Sequence, residues 1–302
     1  MKRVLVTGAS GFIGSQVIPL LVSAGYEVHV VLTKKNTQLF SREISPHYVD
    51  LMNKKEVFSL LNKVKPSHLL HLAWYADPPH FWFSAENMEW VKASLELMKS
   101  FTDIGGERLV MAGTCGEYDW SFEHCSEVFT PCKPSTLYGV CKHSTQILLD
   151  GWAKQNKFSS AWGRIFFLYG PNERLNRLVP SVVNSLLNEE MALCTHGDQI
   201  RDFMHVEDVA AAFVALLSSD VKGVVNIASG IPVRVKDIVY QISDQLDRRK
   251  LIRLGAIPSN PSEPNVLTAD ISRLRDEVNF RPRYNLVEGL KQSIDYIKKT
   301  RI

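Results

Sequence analysis

The chain has 302 residues, 45% of them hydrophobic and 22% charged, with a formal net charge of +3. This composition is ordinary for a folded enzyme, and the length is about twice a typical domain of roughly 150 residues, so one large α/β unit or two domains both fit. The small charge, with no Lys/Arg block, speaks against nucleic acid and membrane surfaces as partners, and no apolar run approaches the roughly 18 residues of a membrane-spanning helix.

The first element is the apolar, β-rich run Arg3–Thr7. It is followed by GASGFIG and an apolar-periodic stretch to Ala24, with Gly25 as a helix stop. The apolar run is too short, and too cut by glycine, for a secretory leader. Five cysteines form no Cys-x-x-Cys pair and are odd in number, which points to reduced thiols. A cytoplasmic protein is expected. His124, Cys125 and Cys132 match no common zinc spacing, so no metal is expected.

Further strands are predicted at Tyr26–Leu32, Ser67–Trp74 and Arg108–Gly113, with helical patterns over Lys54–Lys63 and Ala85–Phe101. Strands alternating with helices imply a Rossmann-type, doubly wound parallel sheet of the α/β class, which binds ligands at the carboxyl ends of its strands. The character changes after Phe166. LYGPNERLNRLVPSVV is loop-like before it turns helical, and GDQIRDFMHVEDVAAAFVALL reads as a strand and an Ala-rich helix. GVVNIASG adds a strand, and a Lys-rich helix spans Leu286–Lys299. The expected division is a dinucleotide-binding domain over residues 1–166, rejoined by 197–230. A smaller C-terminal substrate-binding domain would be made of 167–196 and 231–302.

Gly8, Gly11 and Gly14 stand directly between a strand and a helix, flanking Phe12 and Ile13. Glycine lets a backbone approach a pyrophosphate closely, and the helix N-terminus offers free N–H groups. NAD-preferring sites of this kind place an acid after the second strand. Here Thr33, Lys34 and Lys35 follow VHVVL, so NADP is expected, with NAD as the alternative. Asp50 and Leu51 would suit the adenine edge, and Leu72 and Ala73 the cofactor channel.

The stretch AGTCGEYDW packs Thr114, Cys115, Glu117 and Tyr118 into five positions. A thiol nucleophile, a metal set, a general acid or a plain strand end all fit it in isolation. Downstream, Tyr138 and Lys142 share one face of a helix. An ammonium beside a phenol stabilises the phenolate, which suits proton exchange with an alcohol oxygen coupled to hydride transfer.

Together, TGASGFIG, HLAW, AGTCGEY, YGVCK, RIFFLYGP, RDFMHVEDVA and NIASG occur in the order that resembles the extended short-chain dehydrogenase/reductase family, in its NDP-sugar epimerase/dehydratase/reductase branch. By that resemblance Thr114 orients the substrate oxygen, Tyr138 exchanges its proton, and Lys142 lowers the tyrosine pKa while holding the nicotinamide ribose. Family position also makes Arg201 the first candidate for the nucleotide diphosphate and Arg174 the second.

The departures bear on the reaction. Sugar dehydratases of the family follow the catalytic Thr with Asp-Glu, where this chain has Cys115 and Gly116. Its epimerases often carry Asn where Phe167 stands, and Gly113 replaces a first hydroxyl. Cys115 reads either as an epimerising acid/base or as a buried filler, and Glu117 as a substrate-orienting or a structural carboxylate. His71 is expected to pack beneath its strand end. The aromatic segment Ala73–Phe83 would wall the sugar pocket or fold down as structure.

The expected function is an NADPH-dependent reductase of a nucleotide-linked keto sugar in deoxysugar or polysaccharide precursor synthesis. An NAD-dependent NDP-sugar epimerase is the alternative, ahead of a dehydratase or a non-catalytic member. The resemblance further implies a homodimer through the helix carrying Tyr138.

Overall fold

The computed structural model describes residues 2–33, 43–77, 80–261 and 263–301. Its centre is a seven-stranded, all-parallel sheet built from β1 (Arg3–Thr7), β2 (Glu27–Leu32), β3 (Ile44–Tyr48), β4 (His68–His71), β5 (Arg108–Thr114), β7 (Ser159–Ile165) and β11 (Gly223–Ile227). The spatial order is β11-β7-β5-β4-β1-β2-β3. This is the doubly wound Rossmann-type sheet, with the strand order reversing between β1 and β4. Every residue of β5 is buried, as a central parallel strand covered on both faces requires.

Two apolar clusters cover the two faces. On one, α1 (Phe12–Ser23) packs against α6 (Val206–Ser218), with Val17, Leu21, Phe213 and Leu217 buried between them and the strands. On the other, α2 (Lys54–Val64), α3 (Glu86–Asp103) and α4 (Leu137–Asn156) bring in Leu61, Leu97, Phe101 and Leu149 over Trp162. The strand that follows Ser67 ends at His71, so Leu72 to Trp74 leave the sheet as loop.

The remaining strands form smaller sheets. β10 (Ile200–His205) lies between β12 (Pro232–Arg234) and β14 (Val266–Ala269), with β6 (His124–Cys125) beyond β14 and β8 (Phe167–Tyr169) also paired to β10. β9 (Ala192–Leu193) pairs with β13 (Ile252–Arg253). The helices α5 (Leu178–Leu187), α7 (Val235–Gln245) and α8 (Leu286–Thr300) share a third apolar cluster around Val183, Ile238 and Leu290. The segment 197–230 is thus divided: β10 belongs to a smaller sheet, while α6 and β11 join the large one. Among the described residues no helix is long and apolar enough to cross a membrane.

Candidate active site

The glycine loop sits at the carboxyl end of β1, where the strand order reverses, which is the ligand crevice of such sheets. Gly8 takes a left-handed φ of +71°, and a Cβ there would meet the Ala73 nitrogen at 2.7 Å and the Leu72 carbonyl carbon at 2.8 Å. A Cβ on Gly14 would lie 2.0 Å from the Gly8 carbonyl oxygen. Glycine is therefore demanded by packing of the loop on itself and on the end of β4. Gly11 caps α1 and has no side chain to offer the first N–H groups of the helix, from Phe12, Ile13 and Gly14. A pyrophosphate fits that donor set.

The other cofactor expectations fare unevenly. Leu72 and Ala73 are tied to β1 by Leu72 N–H to the Thr7 carbonyl and Ala73 N–H to the Thr7 hydroxyl, beside Gly8. Thr33 is exposed at the end of β2, while Lys34 and Lys35 lie outside the described residues. Asp50 is exposed past β3 and its Oδ1 accepts the Met52 N–H. Leu51, expected at the adenine edge, has its side chain buried in the core on the α2 and α3 side of the sheet, where the chain turns into α2.

At the carboxyl end of β5, Thr114 starts a short 3-10 turn, Cys115–Glu117, and its hydroxyl accepts the Gly116 N–H at 3.1 Å. Thr136 caps α4, and a Cβ on Gly139 would press to 2.3 Å from the Gly116 carbonyl oxygen, so the helix start and the turn are in contact. This contact brings Thr114 to Tyr138. The Thr114 side chain and the Arg177 charge ease ionisation of the phenol, but burial, and then the nearby Glu117 charge, outweigh them and hold its pKa above the usual value.

Lys142 is buried. Its Nζ donates to the Ala112 carbonyl at 2.9 Å, lies 3.8 Å from the Trp74 ring centroid, and stands 6.0 Å from the Tyr138 centroid. Burial pushes its ammonium down to about 7, against the raising field of Glu117. The expected lowering of the tyrosine pKa by Lys142 is not met in this arrangement, because the ammonium is turned toward Ala112 and Trp74.

Glu117, expected at the substrate, lies under the strand end. It is fully buried; its carboxylate accepts the Thr114 N–H at 2.8 Å, the Trp162 Nε1–H at 2.9 Å and the Arg164 Nε–H at 2.7 Å. It has no free face for a sugar, and the structural reading is the correct one. The same group explains Gly113: a Cβ there would meet Trp162 Nε1 at 2.0 Å and Glu117 Oε1 at 2.6 Å, so a hydroxyl side chain has no room. Cys115 packs with Tyr118, Cys125 and Phe166 as a buried filler does, and burial pushes its thiol up to about 12. His71 is buried between the hydroxyls of Thr7 and Ser94, at 2.6 and 2.9 Å.

The two arginines separate. Arg201 is buried over the Phe167 ring at 5.3 Å, donates to the Ile200 and Asn265 carbonyls, and faces Glu263 at 3.5 Å. Its charge reaches the Cys115 thiol, so Arg201, Phe167 and Cys115 gather on one side of the strand end. Arg174 is exposed, pairs with Asp77, and lines a different cleft of about 830 Å³ with Asn172, Tyr296 and Arg301; Thr114, Tyr138 and Lys142 are not part of its lining.

Three features escape the sequence reading. Trp74 caps Lys142, and the Phe81 and Trp82 rings meet Tyr138 edge-on at 4.8 and 5.7 Å. Arg164 and Trp162 form the bed of Glu117. Asn87 ties Trp74 to the loop before α3. The aromatic density of Ala73–Phe83 was the one visible signal for the first.

A glycine loop at the switch point, with Thr114, Tyr138 and Lys142 gathered at the end of β5, defines an extended short-chain dehydrogenase/reductase fold. The chain belongs to the NAD dependent epimerase/dehydratase family, whose model matches residues 4–228. It is 27% identical to UDP-glucuronic acid decarboxylase 1 of Xenopus tropicalis over 316 residues, covering 99% of this chain and 72% of that one. It is 25% identical to UDP-glucuronate 4-epimerase of Thermodesulfobacterium geofontis over 322 residues, covering 99% and 97%. Its fold matches that of UDP-glucuronic acid 4-epimerase from Bacillus cereus, in complex with UDP-glucuronic acid and NAD, at a TM-score of 0.87 and 22% identity, covering 99% of each chain. These relatives do not support the preference for a reductase or for NADP; they agree better with the epimerase and with NAD.

Proposed function

We propose that the chain is an NAD-dependent epimerase of a nucleotide-linked sugar, oxidising one sugar carbinol to a ketone and reducing it again from the opposite face. The observation that carries this reading is what surrounds Tyr138 at the end of β5. Gly116 has no side chain, the Cys115 thiol is pushed up to about 12, and Glu117 is committed to Arg164 and Trp162. Elimination of water needs an acid and a base beside the phenol. Oxidation and re-reduction at one carbon need only a single group that takes and returns one proton.

NAD, when bound, supplies the acceptor and donor of the hydride. Tyr138 takes the proton of the carbinol oxygen and returns it, Thr114 holds that oxygen in place, and Lys142 holds the nicotinamide ribose. The N-terminus of α1 receives the pyrophosphate of the cofactor. Arg201 receives the diphosphate of the substrate once Glu263 moves off it, since a guanidinium pairs bidentately with phosphate. Residues 1–166 with α6 and β11 serve the cofactor, and 167–205, which carry Arg201 on β10, with 231–302 the substrate. The exposed apolar residues Met88, Val140, Ile147 and Leu148 on α3 and α4 suit a homodimer interface.

The test is incubation of the purified protein with UDP-glucuronate, UDP-glucose, UDP-N-acetylglucosamine and dTDP-glucose, with a catalytic amount of NAD, followed by proton NMR. A C4 epimer formed without net NADH is the expected product, lost in Tyr138→Phe while NAD binding persists. Stoichiometric consumption of NADPH with a keto sugar would instead return the reductase, and a pentose with carbon dioxide would make the chain a decarboxylase.

A further inference from the structure

Tyr138 and Lys142 stand one turn apart on α4, and a single segment caps both. Phe81 and Trp82 meet the tyrosine ring at interplanar angles of 88° and 89°, while Trp74 lays its face over the lysine ammonium at 3.8 Å. Asn87, fully buried on α3, joins the caps. Its Oδ1 accepts the Trp74 Nε1–H at 2.9 Å, and its Nδ2 donates to the Phe81 carbonyl at 2.7 Å and the Ser84 carbonyl at 2.9 Å. Trp90, one turn further along α3, backs the Trp74 indole at 6.2 Å.

A buried ammonium has three N–H groups to satisfy. Ala112 takes one through its carbonyl. What stands over the rest of the charge is the negative face of an indole, which attracts a cation most strongly where water is excluded.

We infer that Trp74 is a positioning residue for Lys142: its ring face replaces water around the ammonium, and Asn87 fixes that ring, so the lysine and tyrosine caps are set as one unit. The ammonium is thereby held at one place, between the Ala112 carbonyl and the indole, with its N–H groups kept from solvent and ready for hydroxyl acceptors. This rests on the reading of Lys142 as the residue that holds the cofactor ribose. The tie also explains why an asparagine is buried so deeply at this point of α3: its Oδ1 and its Nδ2 both find partners in the segment before the helix.

The test uses the full chain without added nucleotide. The Lys142 Cε resonance, assigned by its loss in Lys142→Arg, is titrated in protein labelled with ¹³C-lysine, and NAD affinity is measured by equilibrium dialysis. Wild type should titrate near 7, the value that burial imposes. Trp74→Leu keeps the site apolar but removes the ring face that stabilises the cation, so its midpoint should fall by about one pH unit and NAD affinity should fall about tenfold. Trp74→Phe keeps a face and loses the Asn87 bond, so it should stay nearer wild type in both. Equal losses in Phe and Leu would overturn the inference, because they would place the effect in the Asn87 bond rather than in the ring. An unchanged midpoint in Trp74→Leu would overturn it as well. If Trp74→Leu does not fold, Trp74→Phe and Asn87→Ala decide. A wild-type midpoint close to that of free lysine, or an Asn87→Ala midpoint unchanged from wild type, sinks the idea, and a lowered midpoint in Asn87→Ala with Trp74→Phe near wild type supports it. The titration needs no sugar, so failure of turnover on every nucleotide sugar would remove the proposed function and leave this result standing.

Discussion

The Glu117 carboxylate accepts the Thr114 backbone N–H at 2.8 Å while the same carboxylate is held by the Arg164 guanidinium at 2.7 Å, all of it out of solvent. A charge pair buried this far is costly to break from one side, because the survivor keeps its desolvation without its partner.

Glu117→Ala should therefore destabilise the fold by about 3–5 kcal/mol, with Glu117→Gln losing less because the amide keeps part of the hydrogen bonding. Urea unfolding of the two variants checks this. A carboxylate that touched the sugar would behave differently, lowering turnover with little change in the unfolding midpoint.

Gly113→Ser places a side chain where Trp162 Nε1 already lies 2.0 Å from the Cβ position. Overpacking of this kind costs about 1–3 kcal/mol. Trp162→Phe made together with it should recover part of the loss, giving a coupling of about 0.5–3 kcal/mol between the two sites in a double-mutant cycle. Strict additivity would show that the indole is not what excludes the hydroxyl.

Two glycines should respond with opposite sign. Gly14→Ala forces a Cβ against the Gly8 carbonyl oxygen, so stability and NAD binding should both fall. Gly151→Ala, on α4 with nothing within 4 Å of its Cβ position, should raise stability by about 0.5–1 kcal/mol through helix propensity alone. Calorimetry with and without NAD separates the two effects.

Acidification should destabilise the protein through its histidines. Burial pushes His71 down to about 3 and both His47 and His205 to about 4. Each is a base whose folded pKa lies below the unfolded value of about 6.5, so the unfolded chain takes up the proton first. The stability they contribute is complete above about pH 6.5 and is lost as the pH falls toward 4, with His71 losing its share down to about 3. The melting temperature at pH 5 should lie about 5 °C or more below that at pH 7.5. A flat profile over that range would mean that these rings are solvated.

Much of the fold was legible because periodicity and glycine placement are local. The βαβ alternation, the loop at Gly8, Gly11 and Gly14, and the Tyr138–Lys142 spacing depend on a few neighbouring residues and hold in the structure. Lys142 was placed on the right helix face, yet the group it meets, Trp74, comes from a loop 68 positions earlier, and no local pattern announces that pairing.

The amino-acid order alone determined the sheet type, the helix carrying Tyr138 and Lys142, and the absence of a dehydratase pair after Thr114, since each follows from residue type and near-neighbour spacing. Only the tertiary structure decided that Glu117 is bedding rather than a reagent, that Gly113 is glycine for want of space, and that the aromatics around Phe81 and Trp74 cap the tyrosine and the lysine. Each of these depends on which side chains from distant strands and loops meet at the end of β5, and on how far burial there excludes water.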